Sequence, residues 1–298
     1  MHKISVIILS YNHKPLIAKA IQGVFMQNVH CNIELIISDD GSTDGTQQAI
    51  EAILKETPEH FSVVYTPHPK NLGATPNFFD ALSKVTGDYL CFCEGDDYWT
   101  DPNKLQYQLD FLESHPEYNM CFHQVTNISP DPGTDGTLFS KVENRDYSML
   151  EIYQHWRVHT TSVFMRSSVL KNTAVKELLK HPELLYFDTF LYMACGTDGK
   201  IRGSDRTMSC YLRHEAGISN GINHRRDLRH NHLDQVIGDT YGGKIKESAN
   251  WQIFSRSRIA FVDSMKQGHL LLAWKHLQWM IRRKGNLKVY LQKKFLAS

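Results

Sequence analysis

The chain has 298 residues, 41% hydrophobic and 22% charged, enough for one large or two smaller domains with a true core. This composition excludes disorder, collagen and coiled coil as the main architecture. Lys and Arg number 33 against 32 Asp and Glu, which excludes a whole-chain field for nucleic acid.

Ile4 to Leu9 is a β-branched run that ends at polar Ser10-Tyr11-Asn12. Pro15 suits a first helical turn, and Ile17, Ala20, Ile21, Val24 and Phe25 follow at helical spacing. A second strand, Ile33 to Ile37, stops at Ser38-Asp39-Asp40-Gly41-Ser42. Helix is predicted over 46–54, strand over 61–65, helix over 75–85 and strand over 89–93. The last of these ends in Glu94-Gly95-Asp96-Asp97, and 106–112 reads as helix. Near-continuous apolar strands separated by helices predict a mostly parallel sheet covered on both faces. Ligands of such sheets bind beyond the carboxyl ends of the strands, where the polar and acidic clusters fall.

The pattern weakens after about residue 126. Residues 129–137 read as a loop, 161–165 as a strand, and 184–195 places Asp188 among aromatic and apolar neighbours. Six scattered cysteines without a CxxC predict buried thiols in a reducing compartment. The apolar run at the N-terminus is too short for a signal segment, and no stretch reaches membrane-spanning length, so a cytoplasmic chain is expected.

Carboxylates at a strand end make a hard oxygen site, and Mg²⁺ or Mn²⁺ takes one or two of them together with substrate phosphates. Asp96 and Asp97 fit that chemistry, and a solvated turn with capping acids is the competing reading. Asp39 and Asp40 can accept from a base N–H or a ribose hydroxyl, or can serve a tight turn and helix cap. No GxGxxG follows the first strand and no GxxxxGK[ST] occurs, so dinucleotide oxidoreductases and P-loop enzymes are disfavoured.

Several segments in order resemble family 2 glycosyltransferases. They are Ser5-Val6-Ile7-Ile8 with Ser10-Tyr11-Asn12, then Ser38 to Thr46, Asn71-Leu72-Gly73 with Asn77, and Gly87-Asp88-Tyr89 with Glu94-Gly95-Asp96-Asp97. The resemblance is strong over residues 3–115 and looser over 155–220. It implies a GT-A fold and inverting transfer from a nucleotide-diphospho-sugar, UDP-linked by the family's commonest donors, with Mn or Mg. The acceptor would be a saccharide or lipid-linked hydroxyl in bacterial polysaccharide or lipopolysaccharide biosynthesis. By the same resemblance Ser10, Tyr11, Asp39, Asp40, Asn71 and Asp96 would line the nucleotide site. Asp97, with Asp96, would hold the metal. Glu94 stands where the family more often has Asp. Asp188 lies about where the family places its base, with Phe187 in place of an acid; a helix-cap role is the alternative. Tyr211-Leu212-Arg213-His214 with Gly217-Ile218-Ser219 resembles a late family segment, which makes Arg213 a donor contact and His214 a metal ligand. His159 with Thr160-Thr161 resembles a segment that flanks the acceptor site, and Trp99 would pack or stack near the acceptor rather than do chemistry.

The expected organisation is a catalytic domain over 1–220, with a donor half over 1–115 and an acceptor half over 116–220, then a basic helical extension over 221–298. From Ser264 onward there is no Asp or Glu, and eight Lys and Arg accompany Leu270, Trp274, Leu277 and Ile281 at helical spacing. That stretch reads as a helix packed on the main domain, as a peripheral contact with an anionic membrane through 265–298, or as a dimer face; nucleic acid is disfavoured. Two rival functions keep the sheet: a sugar-nucleotide pyrophosphorylase, which would want a glycine-rich basic loop after the first strand, and a non-catalytic nucleotide-sugar-binding protein.

Overall fold

A computed structural model describes residues 2–129, 136–213 and 223–296, with side chains through residue 292. The chain divides into two compact units: Met1–Pro182 with Asp188–Ile218, and Glu183–Phe187 with Ser219–Ser298.

The first unit opens with β1 (Lys3–Ser10), α1 (Ile17–Phe25), β2 (Asn32–Asp39), α2 (Thr46–Ile53), β3 (Phe61–Pro67), α3 (Ala74–Ser83) and β4 (Tyr89–Phe92). It continues through β5 (Tyr98–Trp99), α4 (Lys104–Ser114), β6 (Tyr118–Ile128), α5 (Met149–His155), β7 (Phe164–Arg166), α6 (Thr173–Leu178), α7 (Phe187–Cys195) and β8 (Lys200–Leu212). Strand order is β3-β2-β1-β4-β7-β6-β8-β5. The first four strands run parallel, as their apolar sequences predict. Ile4, Val6, Ile8, Ile33, Leu35, Ile37 and Cys91 share one buried cluster with Ile17, Ile21 and Val24 of α1.

Residues 161–165, expected as a strand, divide differently. A 3₁₀ turn covers Thr160–Ser162, and β7 follows, antiparallel to both β4 and β6. The turn forms because His159 Nδ1 accepts the Thr161 N–H at 3.4 Å and Ser162 N–H reaches His159 O at 2.9 Å.

At the amino edge of the sheet the buried Glu34 is fully engaged. It accepts from Lys3 Nζ at 2.8 Å, Ser5 Oγ at 2.6 Å, Thr86 N–H at 3.0 Å and Thr86 Oγ1 at 2.7 Å.

The second unit is helical: α8 (His224–Tyr241), α9 (Gly243–Lys266), α10 (Leu270–Ile281) and α11 (Gly285–Leu296). Asn223 caps α8, its Oδ1 accepting the N–H groups of Arg225 and Arg226. Gly242, at φ +65°, turns the chain between α8 and α9. Leu233, Ile237, Ala249, Ile253 and Phe254 are buried. Beside them Arg256 Nη1 donates to Asn231 Oδ1 at 2.7 Å and to Asp234 Oδ2 at 2.8 Å. No helix of the described residues is long and apolar enough to cross a membrane.

Candidate active site

The site lies where β1, β2 and β4 end. Two loops there are tied together. Asn12 sits at φ +56°, a left-handed conformation that Asn tolerates. Its N–H donates to Ser42 Oγ at 2.8 Å and its Oδ1 accepts the Thr43 N–H at 2.9 Å. The N–H of His13 reaches Thr46 Oγ1 at 2.9 Å, and that of Lys14 reaches Asp44 Oδ2 at 3.0 Å.

Asp39 and Asp40 are both buried here. Asp39 accepts from Ser42 N–H, Ser42 Oγ and Gln47 Nε2. Asp40 accepts the Leu72 N–H on Oδ1 at 2.6 Å and the Gly73 N–H on Oδ2 at 3.0 Å, so it fixes the loop that carries exposed Asn71. Gly41 lets that loop approach: its φ is +71°, and a Cβ there would lie 2.5 Å from Lys70 C. Tyr11 is half exposed beside these loops, while Ser10 is buried and its Oγ has no protein partner among the described residues.

The turn after β4 places Glu94, Asp96 and Asp97 beside the end of β1. Gly95 allows it: its N–H donates to Leu9 O at 2.8 Å, and a Cβ would meet His13 Nδ1 at 2.7 Å. Burial, with Asp96 and Asp188 near by, pushes the Glu94 carboxyl up to about 8. Burial, Asp96 and Glu94 push Asp97 well above the usual carboxylate range, against a hydrogen bond from the Leu212 N–H to its Oδ1 at 3.1 Å. Two imidazoles face the acids: His13 Nε2 is 3.7 Å from Asp96 Oδ2, and His159 Nδ1 is 3.7 Å from Asp97 Oδ2. Burial holds His159 down at about 4, so at neutral pH it brings no positive charge. Among the described residues no Lys or Arg is a cause of the shift at Glu94, Asp97 or Asp188.

Asp188 stands in the first turn of α7 and faces this cluster, since its charge raises Glu94. Burial raises its own pKa, while the Thr189 N–H, its own N–H and the Thr160 hydroxyl hydrogen-bond to it. The helix-cap reading is therefore present in the structure alongside the position expected of a base.

Trp99 is packed inside and only 2% exposed. Its Nε1–H donates to Thr161 O at 3.0 Å, and Lys104 Nζ lies 4.0 Å from its ring centroid. Lys104 Nζ also donates to Gln108 Oε1 at 2.8 Å, and Gln108 Nε2 donates to Ser162 O at 2.9 Å. Trp99 and α4 thus hold the 3₁₀ turn that presents His159 to Asp97 and Thr160 to Asp188. His159 also packs against Tyr211 and Phe139, at centroid distances of 4.5 and 4.7 Å. Arg213 is exposed beyond the end of β8, and His214 lies outside the described residues.

Sequence reasoning missed His13 beside Asp96, and it gave Thr160 and Leu212 no contact with the acids although both fall in the resembling segments, because each meets the acids only through tertiary approach. Glycine between Glu94 and Asp96 was the one available hint for His13, since it marks a close backbone contact.

Buried carboxylates crowded by like charge fit a divalent ion by donor chemistry. Asp96 and Asp97, with Glu94 behind them, are the residues that would hold one. They do not bring three ligand atoms within 4.8 Å of one another, so substrate oxygens would complete the shell.

A mixed sheet with helices on its faces, built in this order, is a GT-A fold, and solved structures share that fold. TarS from S. aureus, residues 1–349 in complex with UDP-GlcNAc, superposes with TM-score 0.64 at 18% identity over 95% of this chain and 80% of that one. Mannosyltransferase PcManGT from Pyrobaculum calidifontis, in complex with GDP-Man and Mn²⁺, gives 0.57 at 14% identity over 94% and 84%. The sequence profile of glycosyl transferase family 2 matches residues 5–173, and the chain belongs to that family. An uncharacterized Mycobacterium tuberculosis protein is 34% identical over 72% of this chain and 60% of its own length. The putative teichuronic acid biosynthesis glycosyltransferase TuaG of Bacillus subtilis is 38% identical over 37% of this chain and 41% of its own. The chain thus spans about 60% of the length of the first curated relatives it matches.

Proposed function

We propose that the chain transfers a sugar, with inversion, from a nucleotide-diphospho-sugar to an acceptor hydroxyl in bacterial cell-surface polysaccharide biosynthesis. The observation that supports this best is the placement of Asp188. A buried carboxylate with a raised pKa faces Glu94 of the acid cluster that ends β4.

In this reading Ser10, Tyr11 and Asn71 line the base and ribose pocket, and Asp39 and Asp40 shape its wall. The buried, unpaired Ser10 Oγ is a donor and acceptor available to a ligand. Asp96 and Asp97 would hold Mn²⁺ or Mg²⁺, which, when bound, supplies charge neutralisation for a diphosphate leaving group. Arg213 is an exposed cation available to the donor. The acceptor hydroxyl oxygen attacks the anomeric carbon from the face opposite the diphosphate. The bond from that carbon to the phosphate oxygen breaks, the nucleoside diphosphate departs, and the hydroxyl proton passes to an Asp188 carboxylate oxygen. Burial makes Asp188 a stronger base than a surface Asp, and the Thr160 hydroxyl holds it in one orientation. His159, neutral and hydrogen-bonded through Nδ1, flanks the acceptor side. The donor is read as UDP-linked, and the neighbour solved with UDP-GlcNAc supports that choice.

Thermal unfolding with UDP, GDP, TDP and CDP, each with and without Mn²⁺, tests the donor site. A metal-dependent rise with one nucleotide is expected and names the donor class. No rise with any of them removes the donor site and leaves only the fold.

A further inference from the structure

We propose that α10 and the basic residues beside it form a docking surface for an anionic lipid bilayer. The charge is divided unevenly along the chain. Residues 219–298 carry 15 Lys and Arg against 5 Asp and Glu, whereas residues 1–218 carry 18 against 27. Residues 219–298 are thus strongly cationic in a chain that is nearly neutral as a whole.

The periodic stripe Leu270, Trp274 and Ile281 would be the packing face of an ordinary surface helix. It is not. Helix α10 buries Ala273 and His276, and His276 Nε2 donates to His224 O at 2.9 Å. Leu270, Leu271, Trp274 and Ile281 are instead 64, 71, 53 and 56% exposed. At about 100° per residue these four fall within an arc of roughly 100°, with Lys275 and Arg282 at one edge. Exposed Lys284 and Lys288 follow. Beside the stripe a groove of about 1050 Å³ is walled by Leu228, Leu270 and Leu271 and edged by Arg225, His269 and Lys275. Its acid, Asp263, faces His224 Nε2 at 3.5 Å.

Exposed Leu and Trp with a basic margin is the surface that enters the headgroup and acyl boundary of a bilayer. Anionic headgroups complement the lysines and arginines. A second copy packed through the same stripe would cover the leucines but bring no anionic partner to the lysines and arginines beside them. Nucleic acid would use the cations and leave the leucines in water. This surface is independent of the sugar-transfer reading, since none of its residues belongs to the acid cluster.

The test is sedimentation of the full chain with vesicles of phosphatidylglycerol mixed with phosphatidylcholine, and with vesicles of phosphatidylcholine alone, at low and high salt. Binding to the anionic vesicles that falls as salt rises is expected. The double variant Lys275→Gln/Arg282→Gln should weaken it about thirtyfold at low salt. The variant Leu271→Gln/Trp274→Gln should reduce binding at both salt concentrations. Both alter exposed positions, so thermal unfolding should stay close to that of the parent. The salt series on the unaltered chain decides the matter even if a variant misfolds. Equal binding to both vesicle types, or to neither, overturns the proposal. So does sedimentation velocity showing a dimer that Leu271→Gln/Trp274→Gln dissociates.

Discussion

Two groups of acids sit on one sheet edge and behave in opposite ways. At the ends of β1 and β2, Asp39, Asp40 and Asp44 each accept protein donors, mostly backbone N–H groups. Burial pushes Asp44 up, yet its hydrogen bonds from the Thr46 hydroxyl and from the Lys14 and Thr46 N–H groups bring it below the ordinary range. At the end of β4, burial and neighbouring like charges drive Glu94 and Asp97 up. The same residue type at the same edge is thus driven down where hydrogen-bond donors outweigh burial, and up where burial and like charges outweigh the one N–H from Leu212.

The sharpest way to break this comparison is Asp97→Asn. Sugar transfer should fall at least about a thousandfold, on the scale of losing a principal electrostatic contact. The Mn²⁺-dependent rise in unfolding temperature should vanish with it. The metal-free variant should unfold at the same temperature as the parent or higher, because a buried like charge has gone. A variant that loses stability without metal would place Asp97 with the structural acids.

Asp188→Asn comes next. Loss of a general base should lower turnover by about 10²- to 10⁴-fold, while nucleotide binding measured by thermal shift stays intact. Loss of binding together with turnover would instead assign Asp188 to the helix cap alone.

Much of this edge is legible in the sequence, for a physical reason. Ile4 to Leu9, Ile33 to Ile37 and Tyr89 to Cys93 are apolar on both faces, so strand, parallel sheet and a ligand edge follow from local pattern. The acids at that edge are equally visible. What each acid does is not, because it depends on which N–H groups arrive from Leu72, Gly73 or Leu212, far away in the chain. Trp99 illustrates the limit: a Trp after an acidic turn is compatible with a substrate platform, and only burial together with the Thr161 contact shows that it is a support. The C-terminal stripe shows the same limit: helical spacing is legible, but whether Leu270, Trp274 and Ile281 face a neighbour or the outside is settled only by their exposure.

Gly41→Ala tests the structural group. A Cβ at φ +71° against the Lys70 backbone should cost about 1–3 kcal/mol and displace the loop that Asp40 holds. The Michaelis constant for donor should rise, with turnover at saturation changed less. Trp99→Phe is milder: it keeps the ring near Lys104 and removes the hydrogen bond to Thr161 O. A cost of about 1 kcal/mol is expected, with turnover lowered and donor binding unchanged, because the 3₁₀ turn serves Asp188 rather than the nucleotide pocket.

The pH dependence of stability carries the comparison in one curve. Glu94 has a folded value of about 8 against 4.5 for the free group, so the folded state holds a proton that the unfolded state has released. Its contribution is full below 4.5 and is lost as pH rises toward 8. Glu34 has the opposite sign. Burial raises it, but its bonds from Lys3, Ser5 and Thr86 lower it further, so its contribution is present above 4.5 and lost as pH falls through its folded value. Chelator-treated protein should therefore show an unfolding temperature that drops gently from pH 5 to 8 and falls again in acid. Added Mn²⁺ should flatten the alkaline limb and leave the acid limb alone, because a cation takes over from the proton only where the acids lack donors. If Mn²⁺ moved neither limb, the β4 acids would be ordinary buried carboxylates, and the contrast between the two groups would rest on burial alone.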